Sequence, residues 1–191
     1  LKDIPDPIGT ANLIEKWVAE LQNIKPPLEI KTPVELITNG EGQYVEFKSS
    51  ILWDYRQEKM NKSLSTPIIK NVAAFMNTAG GTLLVGIDDD GQVLGLDADF
   101  GVMKKANTDG FELIFNNAFN QMIGTEYRHF VQLSFPKIEG KTICLIAVQP
   151  STIPVYFRHR DKEDFYIRAG NASQPLPVSK ITTYIHNRFR T

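Results

Sequence analysis

Cysteine is nearly absent: Cys144 is the single one in 191 residues, which excludes an internal disulfide and any cysteine-based zinc site. It sits within the apolar run "TICLIAV" and reads as a small buried hydrophobe in a chain suited to a reducing, cytoplasmic setting. Histidine is scarce too. His129, His159 and His186 share no metal-ligand spacing, and no Ser/His/Asp set can be assembled from the sequence. No apolar run approaches the roughly 18 residues that cross a bilayer, so no membrane partner is expected. The opening "LKDIPDPIG" lacks the basic-then-apolar order of a signal peptide, and Leu1 is not a start methionine. An excised segment with partner domains outside it is the expectation. Positive charge is not in excess: the formal net charge is −1, so any surface for nucleic acid must be local. A phosphate loop is missing as well, because nothing matches G-x-x-x-x-G-K-[ST] or a strand-preceded G-x-G-x-x-G. The pair Gly80-Gly81 follows a predicted helix, at its partially negative end, and acts as a stop signal.

What the chain does have is an ordinary globular profile, 42% apolar and 23% charged, sufficient for one sizeable core. Residues 10–24 carry apolar side chains at Leu13, Ile14, Trp17, Val18 and Leu21, the stripe of an amphipathic helix. "NIKPPLEIKTP" after it reads as an extended linker. The predicted division is therefore an N-terminal helix and Pro-rich linker over 1–37 and a single domain over 38–191. Within the domain, "QYVEFKS" alternates like a strand, and Ile68, Ile69, Val72, Ala73, Phe75 and Met76 make a helix with Pro67 in its first turn. "TLLVGI" and "QVLGL" flank an Asp-Gly turn and predict a hairpin. A second helix is expected over 107–124, four strands after it, and a closing helix in "PVSKITTYIHNRFRT". Helices segregated from neighbouring antiparallel strands give an α+β class, a mixed, mostly antiparallel sheet of about six to seven strands with helices packed on it.

Two carboxylates five residues apart, Glu41 and Glu46, lie with Lys48 in the strand segment "EGQYVEFKSS". Acids at such spacing either dress a solvated strand face or, with an aspartate of "DDDG", converge on a hydrated Mg2+ or Mn2+ that could activate water for phosphodiester cleavage. Asp90 suits a turn before Gly91; Asp88 and Asp89 fit that role less well, since adjacent side chains alternate faces. Basic candidates for phosphate contact are Arg56, Lys59 and Lys62, interleaved with Trp53 and Tyr55. Arg168 in "YIRAG" offers either a surface charge or a bidentate clamp for phosphate or carboxylate.

The blocks "EGQYVEFKSS", "IIKNVAAFMNTAGGTLLVGIDDDGQVLGL" and "FYIRAGNASQPL" together resemble the Schlafen-type AlbA-like domain, also called the divergent AAA module, over about residues 38–190. The resemblance implies a nucleic-acid-binding domain, RNA or DNA, often beside a helix-turn-helix or ATPase module. In nuclease-competent members three acids act together with a divalent metal. Their counterparts here are Glu41, Glu46 and Asp89, and Lys48 matches a lysine that would contact the scissile phosphate. A metal-dependent endoribonuclease is thus one expectation. The other is a non-catalytic regulatory or dimerisation module of a larger transcriptional regulator or ATPase. Animal Schlafen cores join two such lobes and carry a Cys/His zinc site; this chain has one lobe and no such site. A homodimer, formed through the N-terminal helix or exposed strand edges, would be needed to build a two-walled groove. The segment "ILWDYRQEKMNKSLS" is longer than the family's usual connection.

Overall fold

The computed structural model describes residues 31–189, so the helix expected at 10–24 falls outside the described residues. The first described element is a short helix that the sequence does not predict, α1 (Pro33–Asn39). Pro33 occupies its first position, where a missing N–H costs nothing, and Leu36 is its buried residue. Strand β1 (Val45–Lys48) follows, then a small ribbon of β2 (Trp53–Asp54) and β3 (Lys59–Met60). Helix α2 (Ser65–Asn77) leads to strand β4 (Gly81–Val85). Next come α3 (Asp97–Val102), α4 (Thr108–Met122), β5 (Val131–Ser134), the ribbon β6 (Lys137–Ile138) and β7 (Lys141–Thr142), and β8 (Cys144–Val148). Two more ribbons, β9 (Phe157–His159) with β10 (Lys162–Asp164) and β11 (Tyr166–Ala169) with β12 (Ala172–Pro175), precede α5 (Val178–Arg188).

Four strands form the central sheet in the order β1-β4-β8-β5. β1 is parallel to β4, which requires a long crossover, and α2 supplies it. The β4–β8 and β8–β5 pairs are antiparallel. The α+β class expected from the sequence is therefore the class observed. The strands are distributed differently from one sheet of about six to seven, because the remaining ones pair off as two-stranded ribbons. Pro136, which donates nothing to a ladder, stands between β5 and β6, and the Ile143 N–H donates to its carbonyl at 3.0 Å. The hairpin expected around "DDDG" shrinks to a single Ile87–Val93 bridge, since Leu94 and Gly95 both donate to Gly86 O instead.

The pleat splits β4 between two cores. Leu83 and Val85 join Val131, Ile146 and Val148 beneath α2 and the Phe111, Phe115, Phe119 stripe of α4. Leu84 turns to the other face, with Phe47, Ile87, Ile143 and Leu36 of α1. The two glycines after α2 do more than end it. Gly80 has φ +76, and a Cβ there would stand 2.6 Å from Val148 O; at Gly81 it would enter the Phe75 ring. Helix and sheet can approach this closely only over glycine. Among the described residues no helix is long and apolar enough to cross a membrane.

Candidate nucleic-acid interface and the acidic motif

Parallel pairing sets Glu46 beside Leu83 of β4, so its side chain points to the α2 side of the sheet and is largely buried. A carboxylate there needs partners, and three donors converge on it. Oε1 accepts from Lys48 Nζ at 2.6 Å and from Asn71 Nδ2 of α2 at 2.9 Å. Oε2 accepts from Arg168 NH1 at 2.8 Å. Burial pushes the Glu46 carboxyl up, but the hydrogen bonds and charges of Lys48 and Arg168 outweigh it and hold the group below the usual carboxylate range.

Arg168, placed by β11, has a side chain only 1% exposed. Its NH1 also donates to Ser173 Oγ at 3.2 Å, its NH2 donates to Gly42 O at 2.6 Å, and its guanidinium lies 4.8 Å from the centre of the Phe75 ring. Of the surface charge and the phosphate or carboxylate clamp expected from the sequence, the structure shows a buried arginine on a carboxylate, that of Glu46, tying the first motif block to the third. Its buried Nε has no hydrogen-bond partner among the described residues. Lys48 is likewise engaged, with Glu46 and with Phe47 O at 2.6 Å.

The three acids named from the sequence are not gathered into one ligand set. Glu41 is exposed, and its Oε1 accepts from the Phe47 N–H at 2.7 Å. Asp88, not Asp89, organises the turn: its Oδ1 accepts from Asp90 N–H at 3.0 Å and Gln92 N–H at 2.8 Å. Asp89 is exposed on that turn. Among the described residues no group of three or more Asp, Glu, His or Cys side chains is placed to hold a metal ion. A divalent ion on Glu46 would also have to displace two cations and an amide, so the donor set does not fit Mg2+ or Mn2+.

The basic candidates fare differently. Arg56, Lys59 and Lys62 are all exposed on the β2–β3 ribbon and the turn after it, and none forms a salt bridge with a described residue. Tyr55 and Met60 beside them are 40% and 43% exposed. The ribbon is a built feature. Asp54 Oδ1 accepts from the Arg56 and Gln57 N–H groups at 3.0 and 3.1 Å, and its Oδ2 from Asn61 Nδ2 at 3.1 Å. At its base the buried Asp99 of α3 takes the Ser50 hydroxyl at 2.5 Å and the N–H groups of Ile51, Leu52 and Trp53 at 3.3, 2.8 and 2.9 Å. Burial raises the Asp99 carboxyl, and these four hydrogen bonds only partly offset it.

The sequence reading misses Asp99, Asn71 and Asn77. Asn77, fully buried at the end of α2, donates to Val155 O and Tyr166 O at 2.7 and 2.9 Å and accepts from Val155 N–H at 2.9 Å. Its only sequence signal is a polar residue in an apolar helix just before the glycine stop.

The Schlafen, AlbA_2 family matches residues 41–177, most of the chain. The chain belongs to the Schlafen AlbA_2 family. The match begins at Glu41 and ends at Pro177, so this AlbA_2 domain includes the Glu46–Arg168 pair and the basic ribbon. No curated protein matches the chain. Among solved structures, the DIP2311 protein from Corynebacterium diphtheriae superposes with TM-score 0.52 at 19% identity, over 94% of this chain and 32% of that one. This chain thus spans about a third of the length of that protein, and at such identity the likeness concerns the fold. The N-terminal domain of a RecG-related protein from Nitrosomonas europaea gives TM-score 0.46 at 18% identity, over 78% of this chain and 95% of that one.

Proposed function

We propose that this AlbA_2 domain binds nucleic acid and that the β2–β3 ribbon, with the turn that follows it, is the contact surface. The observation that carries the reading is the set Arg56, Lys59 and Lys62, exposed and unspent on a ribbon pinned by Asp54 and Asp99. Two other basic residues of the motif blocks add nothing to that surface: Arg168 is buried, and Lys48 is held by Glu46 and Phe47 O. Three phosphate contacts imply modest affinity and a log–log salt slope near −2 to −3. Fluorescence anisotropy with labelled RNA and DNA across a salt series tests this. In K59A/K62A, affinity should fall uniformly across sequences and the slope should flatten by about 1.5 units, as lost phosphate contacts do. Binding that ignores salt and both lysines overturns the reading.

Endoribonuclease activity would fall to Glu41, Glu46 and Asp89 with Mg2+ or Mn2+. The engagement of Glu46 with Lys48, Asn71 and Arg168 favours instead a non-catalytic binding or regulatory module. Labelled RNA incubated with Mn2+ or with chelator should remain intact in both arms. Cleavage that needs Mn2+ and vanishes in E46Q would restore the nuclease.

A further inference from the structure

A strand at a sheet edge leaves alternate N–H and C=O groups unpaired, a template for another chain. β1 is such an edge. On its inner side Thr82 N–H donates to Tyr44 O at 2.7 Å and Gly86 N–H to Lys48 O at 2.8 Å. Val45 and Phe47 therefore turn their backbone groups outward. Of those four outward groups, three are taken by the chain's own atoms. Glu41 Oε1 accepts from Phe47 N–H, Lys48 Nζ donates to Phe47 O, and Gly42 N–H donates to Val45 O at 2.9 Å. The loop that carries Glu41 and Gly42 is itself held down by Arg168 on Gly42 O.

We propose that Glu41 and Lys48 are edge guards, whose carboxylate and ammonium stand in for a neighbouring strand and close β1 to strand addition by a second copy of this chain. A second copy is the partner that the opened edge fits. Antiparallel pairing about a two-fold axis at Phe47 would exchange the Phe47 N–H and C=O between copies. It would also set Glu46 of each copy opposite Lys48 of the other, on one face of the joint sheet. On the far edge one outward carbonyl is taken in the same way. In β5 the Gln149 N–H bond to Phe130 O turns Val131 outward, and Arg128 donates to Val131 O while held by Asn116 Oδ1 at 2.7 Å and Glu112 at 3.3 Å. This role for Glu41 and Lys48 needs no ligand, so it is independent of the nucleic-acid reading.

The test opens the edge. E41A/G42P/K48A removes all three guards, and Gly42 has open space where a side chain would begin. Light scattering across a wide concentration range should show its molar mass rising toward twice that of the wild type. Adding V45P, which an edge strand tolerates but which obstructs pairing, should restore the wild-type mass. An opened variant that keeps the wild-type mass, or an association indifferent to V45P, overturns the proposal. If the triple variant does not fold, the single variant E41A decides. Loss of one hydrogen bond should speed exchange of the Phe47 amide about five- to tenfold with the other β1 amides unchanged, and wild-type protection of Phe47 would sink the idea.

Discussion

Glu46 and Asp99 are both buried acids, and their opposite behaviour shows what a charged partner adds. Asp99 accepts four hydrogen bonds from uncharged donors, and burial still raises its carboxyl. Glu46 faces Lys48 and Arg168, and their charge carries it below the usual range. Glu46 is the one carboxylate paired with the buried Arg168 among the described residues, so E46Q should cost about 3–5 kcal/mol in urea unfolding at neutral pH. R168M should cost less, because Glu46 keeps Lys48 and Asn71. E46Q/R168M should cost less than the sum of the single variants, since neither charge is left alone. The pH dependence follows from the lowered Glu46 group: its contribution is present above the unfolded value of about 4.3 and is lost as pH falls through the lower folded value. The gap in Tm between wild type and E46Q should thus be widest near neutrality and close in acid. A gap independent of pH would contradict the charged pair. At the same scale, Cys144 is fully buried and burial pushes its thiol well up, so alkylation should follow global unfolding only.

The β2–β3 ribbon is an element too short to persist alone, and its pose depends on Asp99. D99N replaces one acceptor oxygen with a donor that faces N–H groups, which should cost about 1–3 kcal/mol of stability. If the ribbon is the contact surface, D99N should also weaken nucleic-acid binding while leaving the salt slope close to wild type, because the cations remain. K59A/K62A should do the reverse, flattening the slope with a stability change within about 0.5 kcal/mol. Melting curves and salt titrations on the two variants separate position from charge. The sequence identified the ribbon's cations because exposed charge is a local property. Asp99 escaped notice because its worth lies in donors contributed by residues 50–53, brought to it by folding.

For the whole molecule, the expected homodimer has to be weighed against the edges. Strand edges were among its predicted interfaces, and among the described residues Glu41 and Lys48 take outward groups of β1 while Arg128 takes one carbonyl of β5. V45P in the wild-type background should therefore leave molar mass in light scattering unchanged, whatever that mass is. A drop in mass would show that copies already meet through β1. The other predicted interface, the 10–24 stripe with Trp17, lies outside the described residues.

Periodicity and punctuation are local, and the sequence alone was enough for what depends on them. Apolar spacing marked α2 and α4, proline and paired glycines marked where helices start and stop, and three motif blocks marked the family. α1 was illegible because seven residues carry too little pattern to register as a helix. Tertiary structure decided which partner each charge takes. Glu46 and Arg168 lie 122 positions apart and meet only because parallel pairing aims one side chain at α2 while β11 packs across the same helix. Glu41 and Lys48 likewise belong to a motif that suggests a metal, yet the backbone groups they satisfy exist only because β1 became an edge. A charge near a strand is visible in sequence; the unpaired N–H or carbonyl that claims it is created by the fold.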